Sequence, residues 1–276
     1  MSNFWVRTLS GILFLAIMVA GLILHPAAFA ALLLLIMYIS LREFLQLTMG
    51  GRFLVQQKLT LLTAGIVLVL VAGHCFYALD ARWIALGIIP LLGVPISFLL
   101  SGNLDDAQLM AYPFAGLLYI CLPFILATLL VSAGGEFKGF ILLNIFILIW
   151  SSDIGAYCIG TLFGQKPDSR KLAPAISPKK SWWGFWGGVV LAVIMALVLH
   201  LVGWMPYGLV HSLVLGAIVS MAGVCGDLFE SVWKRHFGVK DSGSCIPGHG
   251  GMLDRFDSSL FAIPAAFAYL SAFGLI

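Results

Sequence analysis

With 276 residues, 61% of them hydrophobic and only 10% charged, the chain lies far from the ~25% charged residues of soluble domains and reads as an integral membrane protein. Its long apolar runs, among them 27–40 and 60–73, are apolar on every face rather than alternating, which excludes a β-barrel and calls for α-helices. The formal net charge of +3 comes from basic residues grouped in a few places, without the extended basic surface that a nucleic-acid partner requires.

A crossing of about 20 residues predicts nine helices, near 8–24, 27–46, 59–79, 83–101, 110–132, 139–163, 184–203, 207–230 and 258–276. The first segment has a charged start at Arg7 and then an apolar run. It resembles a signal peptide, but no small-residue cleavage site precedes a soluble domain, so it is read as the first membrane helix. Pro113 and Pro123 predict kinks in the fifth helix. Connections are short except for two hydrophilic loops, 164–183 and 233–257. With the N-terminus in the cytoplasm, every one of the 15 Lys and Arg residues except Arg82 and Lys138 falls on the cytoplasmic side, and both polar loops fall there too. Cys75, Cys121, Cys158, Cys225 and Cys245 form no CxxC pair, so neither a disulfide framework nor a cysteine zinc site is expected. The expectation is a single membrane-embedded domain, with 1–135 as helical scaffold and 136–276 carrying the chemistry.

Carboxylates inside apolar helices are expensive and face polar cavities. Asp153, Asp227 and Glu230 are of this kind, and Asp227, Glu230 and Ser231 share one helix face by their spacing. The glycines after Asp153 (Gly155, Gly160, Gly164) are read as helix packing, and Asp153 itself as functional. Ser177, Lys179, Lys180 and Ser181 stand just before a helix start, where free amides and two ammonium groups suit a phosphate. The competing reading is a cytoplasmic anchor belted by Trp182, Trp183 and Trp186. Between 231 and 257, Lys234, Arg235, Lys240 and Arg255 supply cations, and Asp241, Asp254 and Asp257 supply hard oxygen ligands for Mg²⁺. The turn Pro247-Gly248-His249-Gly250-Gly251 brings backbone amides toward an anion. Two such loops on one face point to a phosphorylated, metal-bound substrate handled at the membrane surface.

Several blocks in this order resemble the phosphatidate cytidylyltransferases (CDP-diacylglycerol synthases). They are Asp153-Ile154-Gly155-Ala156-Tyr157, Ser177-Pro178-Lys179-Lys180-Ser181 and Gly226-Asp227-Leu228-Phe229-Glu230-Ser231. The longest runs from Lys234-Arg235 through Lys240-Asp241 and His249-Gly250-Gly251 to Asp254-Arg255-Phe256-Asp257. The resemblance covers 153–257; the first five helices are similar only in number and hydrophobicity. It departs at Trp183, where the family usually has Glu, and at Trp233, where the family has a smaller aliphatic residue or Phe.

The resemblance implies CTP + phosphatidate → CDP-diacylglycerol + pyrophosphate in phospholipid biosynthesis, by metal-assisted in-line transfer at the cytoplasmic face of a bacterial inner membrane. It implies Mg²⁺ on Asp227, Asp254 and Asp257, with room for a second cation. Lys234, Arg235 and Lys240 join these aspartates as catalytic groups. Asp153, Ser177, Lys179, Lys180, Ser181, His249, Gly250, Gly251 and Arg255 are expected to contact substrate. CTP, phosphatidate and membrane lipids are the expected partners, and a homodimer is compatible. Three rivals stand beside this reading. The long basic-to-acidic block argues against a CTP-dependent polyprenol or dolichol kinase, and the Asp-x-x-Asp-Gly-x-x-Ala-Arg string of the CDP-alcohol phosphotransferases does not occur. A cation-coupled transporter with Asp153 and Asp227 as ion sites would need polar groups on both faces.

Overall fold

The computed structural model describes residues 3–102, 106–166, 168–245 and 250–276, with side chains at residue 8 and from residue 11 onward within those ranges. The described residues form nine helical segments and one small hairpin, and they divide into two compact units. The first unit holds 1–139 together with 241–255; the second holds 140–240 and 256–276.

In the first unit α1 (Asn3–Ile23), α2 (Pro26–Met49) and α3 (Leu54–Tyr77) are followed by a 3₁₀ turn, Ala81–Gly87, that runs into α4 (Ile88–Ser101). The start of α2 is set chemically: Pro26 stands in the first turn, and His25 Nδ1 accepts from the Ala27 amide at 3.1 Å. Its inner face, with Phe29, Leu33, Ile36, Met37, Leu41 and Phe44, is buried, while Leu35 on the outer face is 55% exposed. Apolar residues on both faces are what lipid surroundings require. The fifth segment is composite, with a 3₁₀ turn (Ala107–Met110), α5 (Ala111–Gly116), a π turn (Leu117–Cys121) and α6 (Leu122–Val131). The irregularity expected between Pro113 and Pro123 takes the form of that π turn. Four threonine hydroxyls in these helices are satisfied locally, since Thr48, Thr60, Thr63 and Thr128 each donate to the carbonyl four residues back.

The second unit contains α7 (Gly139–Phe163), from residue 140 onward, and the antiparallel hairpin β1 (Lys171–Ala173) and β2 (Ser177–Ser181). It continues with α8 (Trp182–Leu201), α9 (Leu209–His236) and, from Phe256, α10 (Leu253–Ala272). Glycines let α7 and α8 touch backbone to backbone. A Cβ on Gly155 would sit 2.5 Å from the Gly187 carbonyl oxygen, and one on Gly188 would sit 2.9 Å from that of Ser152. The packing role expected for Gly155 is therefore what the fold shows.

Seven of the nine segments are long and apolar enough to cross a membrane: α2, α3, the fourth and fifth composites, α7, α8 and α9. The protein is an all-α polytopic membrane protein. Most boundaries shift by a few residues, and those that bear on the site matter most. α9 runs on to His236, so Lys234 and Arg235 are helical, and α10 already includes Asp254 and Asp257. The stretch 171–181 pairs into a hairpin rather than a plain loop, and α8 begins at Trp182. Segment 241–255 groups with the N-terminal helices instead of with the C-terminal half, for reasons given below.

Candidate active site

The second unit encloses a cavity of about 500 Å³, within the range of small-molecule sites. Asp153, Tyr157 and Thr161 enter it from α7 at four-residue spacing, which places them on one face. Opposite stand Lys179, Lys180 and Ser181 at the end of β2, and Asp227 comes from α9. The hairpin that presents the two lysines is tied to the end of α7. Gln165 Nε2 donates to the Lys179 carbonyl at 2.9 Å, and Lys171 Nζ donates to the Gly164 carbonyl at 2.8 Å. Ser181 accepts from the Gly184 amide at 3.1 Å and so caps α8. Its hydroxyl lines the cavity but is already used by the helix, and Ser177 does not line it.

Charge in this unit is organised around Asp227. Lys180 Nζ lies 2.5 Å from its Oδ2, and Ser231 Oγ donates to Oδ1 at 3.4 Å. Asp153 lines the same cavity as Asp227, and the backbone of Asp257 packs beside Asp227, since a Cβ on Gly226 would lie 2.4 Å from the Asp257 carbonyl oxygen. Lys234 is held 2.5 Å from Glu230, a side chain only 1% exposed, one turn back on α9. The extension of α9 beyond residue 230 thus has a cause: a buried ion pair at four-residue spacing carries the helix on past its apolar stretch. Carboxylates and ammonium groups gathered in apolar surroundings suit a ligand that brings both phosphate and cation charge.

Among the described residues no three His, Cys, Asp or Glu side chains converge into a ready metal cage. Mg²⁺ does not demand one, because it keeps several waters and binds through one or two carboxylates plus substrate phosphates. Asp227 and Asp153, which line the cavity, are carboxylates of that kind.

In the first unit, segment 241–255 is organised by two carboxylates. Asp254 Oδ2 accepts from the amides of Ser242 and Gly251, both at 2.9 Å. Gly250, at φ +86°, sits with a would-be Cβ 3.2 Å from that same oxygen. The second carboxylate is Glu43 of α2, which accepts from the Met252 amide at 3.1 Å and the Leu253 amide at 2.9 Å. This is why the segment packs with the N-terminal helices. Glu43 was not among the residues singled out from the sequence, although the signal was there: a carboxylate inside the apolar stretch 27–46. Of the other expected residues, Arg235 Nη1 donates to the Val239 carbonyl at 3.0 Å, and Lys240 and Arg255 are exposed. His249 lies outside the described residues.

Comparison with known proteins gives a family for the chain. The chain matches the model of the Cytidylyltransferase family over residues 5–273. It is 35% identical over 267 residues to a phosphatidate cytidylyltransferase of Staphylococcus epidermidis (strain RP62A), an alignment covering 94% of this chain and 96% of that protein. It is 46% identical over 127 residues to a phosphatidate cytidylyltransferase of Bacillus subtilis (strain 168), which spans 46% of each chain. A third, from Haemophilus influenzae (strain Rd), is 45% identical over 142 residues, 49% of this chain and 47% of its own.

Proposed function

The chain belongs to the cytidylyltransferase family, and on that premise we propose that it transfers the cytidylyl group of CTP to phosphatidate in the membrane, giving CDP-diacylglycerol and pyrophosphate. The observation that carries this reading is the cavity of the second unit, where Lys179 and Lys180 stand beside Asp153 and Asp227 at the end of otherwise apolar helices.

A phosphate oxygen of phosphatidate forms a bond to the α-phosphorus of CTP as the bond between that phosphorus and the bridging oxygen breaks, and pyrophosphate leaves with the electron pair. The attacking phosphate is already anionic, so no strong general base is needed. The protein's contribution is orientation and charge neutralisation. Lys180 and Lys179 neutralise phosphate oxygens entering the cavity, and Lys234, set by Glu230, adds a cation at the end of α9. Asp227 and Asp257 would hold Mg²⁺, which when bound supplies charge stabilisation at phosphate oxygens. Asp254 orders the turn before α10 through the Ser242 and Gly251 amides. The active face is assigned to the cytoplasmic side of a bacterial inner membrane from the distribution of Lys and Arg.

The test is purified protein in detergent with phosphatidate, Mg²⁺ and CTP labelled either in the α- or in the γ-phosphate. Label from the α-position in a CDP-lipid supports the reading. Lipid label from the γ-position alone would mean a CTP-dependent kinase, and no lipid label from either would sink both.

A further inference from the structure

Glu43 sits in α2, in the part of the chain that the motif blocks leave out, yet it accepts hydrogen bonds from Ser242, Met252 and Leu253. Its Oε1 accepts from the Met252 amide at 3.1 Å, and its Oε2 accepts from the Leu253 amide at 2.9 Å and from Ser242 Oγ at 3.4 Å. Met252 and Leu253 stand at the N-terminus of α10, where amides have no helical partner and the helix dipole favours an anion. The neighbouring backbone is shaped to the carboxylate. A Cβ on Gly243 would lie 2.5 Å from Glu43 Oε1, and one on Gly251 would lie 2.7 Å from Oε2. Ser242 is shared: its hydroxyl goes to Glu43 and its amide to Asp254. Gly251 is shared in the same sense, since its amide goes to Asp254 while its missing side chain leaves room for Glu43.

We propose that Glu43 is a positioning residue for the transfer reaction: from α2 it clamps both ends of segment 242–253, and through Ser242 and Gly251 it fixes the carboxylate of Asp254. The first five helices then contribute to the chemistry rather than only to its support. The inference rests on the cytidylyl-transfer reading, and its test separates the two.

Glu43→Ala and Glu43→Gln are compared with the wild-type protein in detergent by α-label transfer and by amide hydrogen exchange. The glutamine is isosteric, but it turns one acceptor into a donor that faces an amide. Both variants are expected to lower kcat by ~10–100-fold, as loss of outer contacts does at metal sites, with KM for CTP unchanged. Exchange is expected to quicken at Ser242, Gly251, Met252 and Leu253 and to stay unchanged across α7 to α9. Gly243→Ala should be as damaging alone, yet add little to Glu43→Ala, because the collision disappears with the side chain. A glutamine variant with wild-type kcat and exchange would overturn the proposal in favour of simple packing. Faster exchange throughout both units would overturn it in favour of a general folding role. If the wild-type protein transfers no label, the functional reading falls, while the exchange comparison still decides whether Glu43 holds the segment.

Discussion

At Asp227 a single atom separates two states of the cavity. Its carboxylate is the anion that Lys180 approaches to 2.5 Å, in a cavity that Asp153 also lines. Asp227→Asn keeps the shape, removes that charge and leaves Lys180 without its partner. A partly buried pair broken on one side loses more than an exposed one, and a lost oxygen ligand weakens any Mg²⁺ held there. The expected result is loss of nearly all turnover, with helical content and detergent elution unchanged; retention of a tenth of the wild-type rate at saturating Mg²⁺ would refute the assignment. Trp183 behaves oppositely. It is 56% exposed, its ring packs on Phe163 at 5.8 Å, and it is absent from the cavity lining, which passes from Ser181 to Gly184. A glutamate placed there loses the Phe163 contact and stays outside the cavity lining. Trp183→Glu is therefore expected to bring no gain in kcat and to lower thermal stability in detergent. A clear rate increase with unchanged stability would show that a carboxylate at this place does reach the chemistry.

At the scale of elements, the seam between α7 and α8 carries both sides of the cavity, since Asp153 stands on one helix and Lys180 lies two residues before the start of the other. Gly155→Ala would push a methyl to within 2.5 Å of the Gly187 carbonyl and force the helices apart, an overpacking that costs about 1–3 kcal/mol. Lower thermal stability and a reduced transfer rate are expected together. Gly51→Ala, with nothing within 4 Å of the added carbon, is the control that should change neither. How far these elements could be read in advance depends on what signals them. The bounds of α7 match the expected 139–163 because hydropathy alone marks both ends. The end of α9 does not, because beyond Glu230 the helix continues through an ion pair that a hydropathy window scores as loop. Ser-Pro-Lys-Lys-Ser shows no strand pattern, and its pairing with Lys171–Ala173 is short and irregular, so the hairpin was invisible. Cavity residues Asp153, Lys179, Lys180 and Asp227 were legible as charges in apolar helices or beside a helix start. Glu43 carries the same signal, a carboxylate inside an apolar helix, but its partners lie 199 to 210 residues away and nothing local announces them.

For the whole molecule the open question is which membrane face carries the polar groups, and each unit answers it for itself. In the first, Arg52 after α2 pairs with Asp106 after α4 at 2.7 Å, so those two connections share a face, and Glu43 near the same end of α2 receives segment 241–253. In the second, the cavity draws on the C-terminal half of α7, the hairpin and the C-terminal half of α9, which again lie at one end. On the proposed reading, the count of Lys and Arg would place that end in the cytoplasm in both cases, with only Arg82 and Lys138 opposite. Cys245 is exposed in segment 241–252 and gives a direct test. In a protein whose other cysteines are replaced by Ser, a membrane-impermeant maleimide should label Cys245 in inverted vesicles and not in intact cells. With Cys245 also replaced, Arg82→Cys, at the start of the 3₁₀ turn before α4, should show the reverse. Labelling of both positions from the same side would contradict a one-faced arrangement and would favour a path crossing the membrane, as a transporter requires.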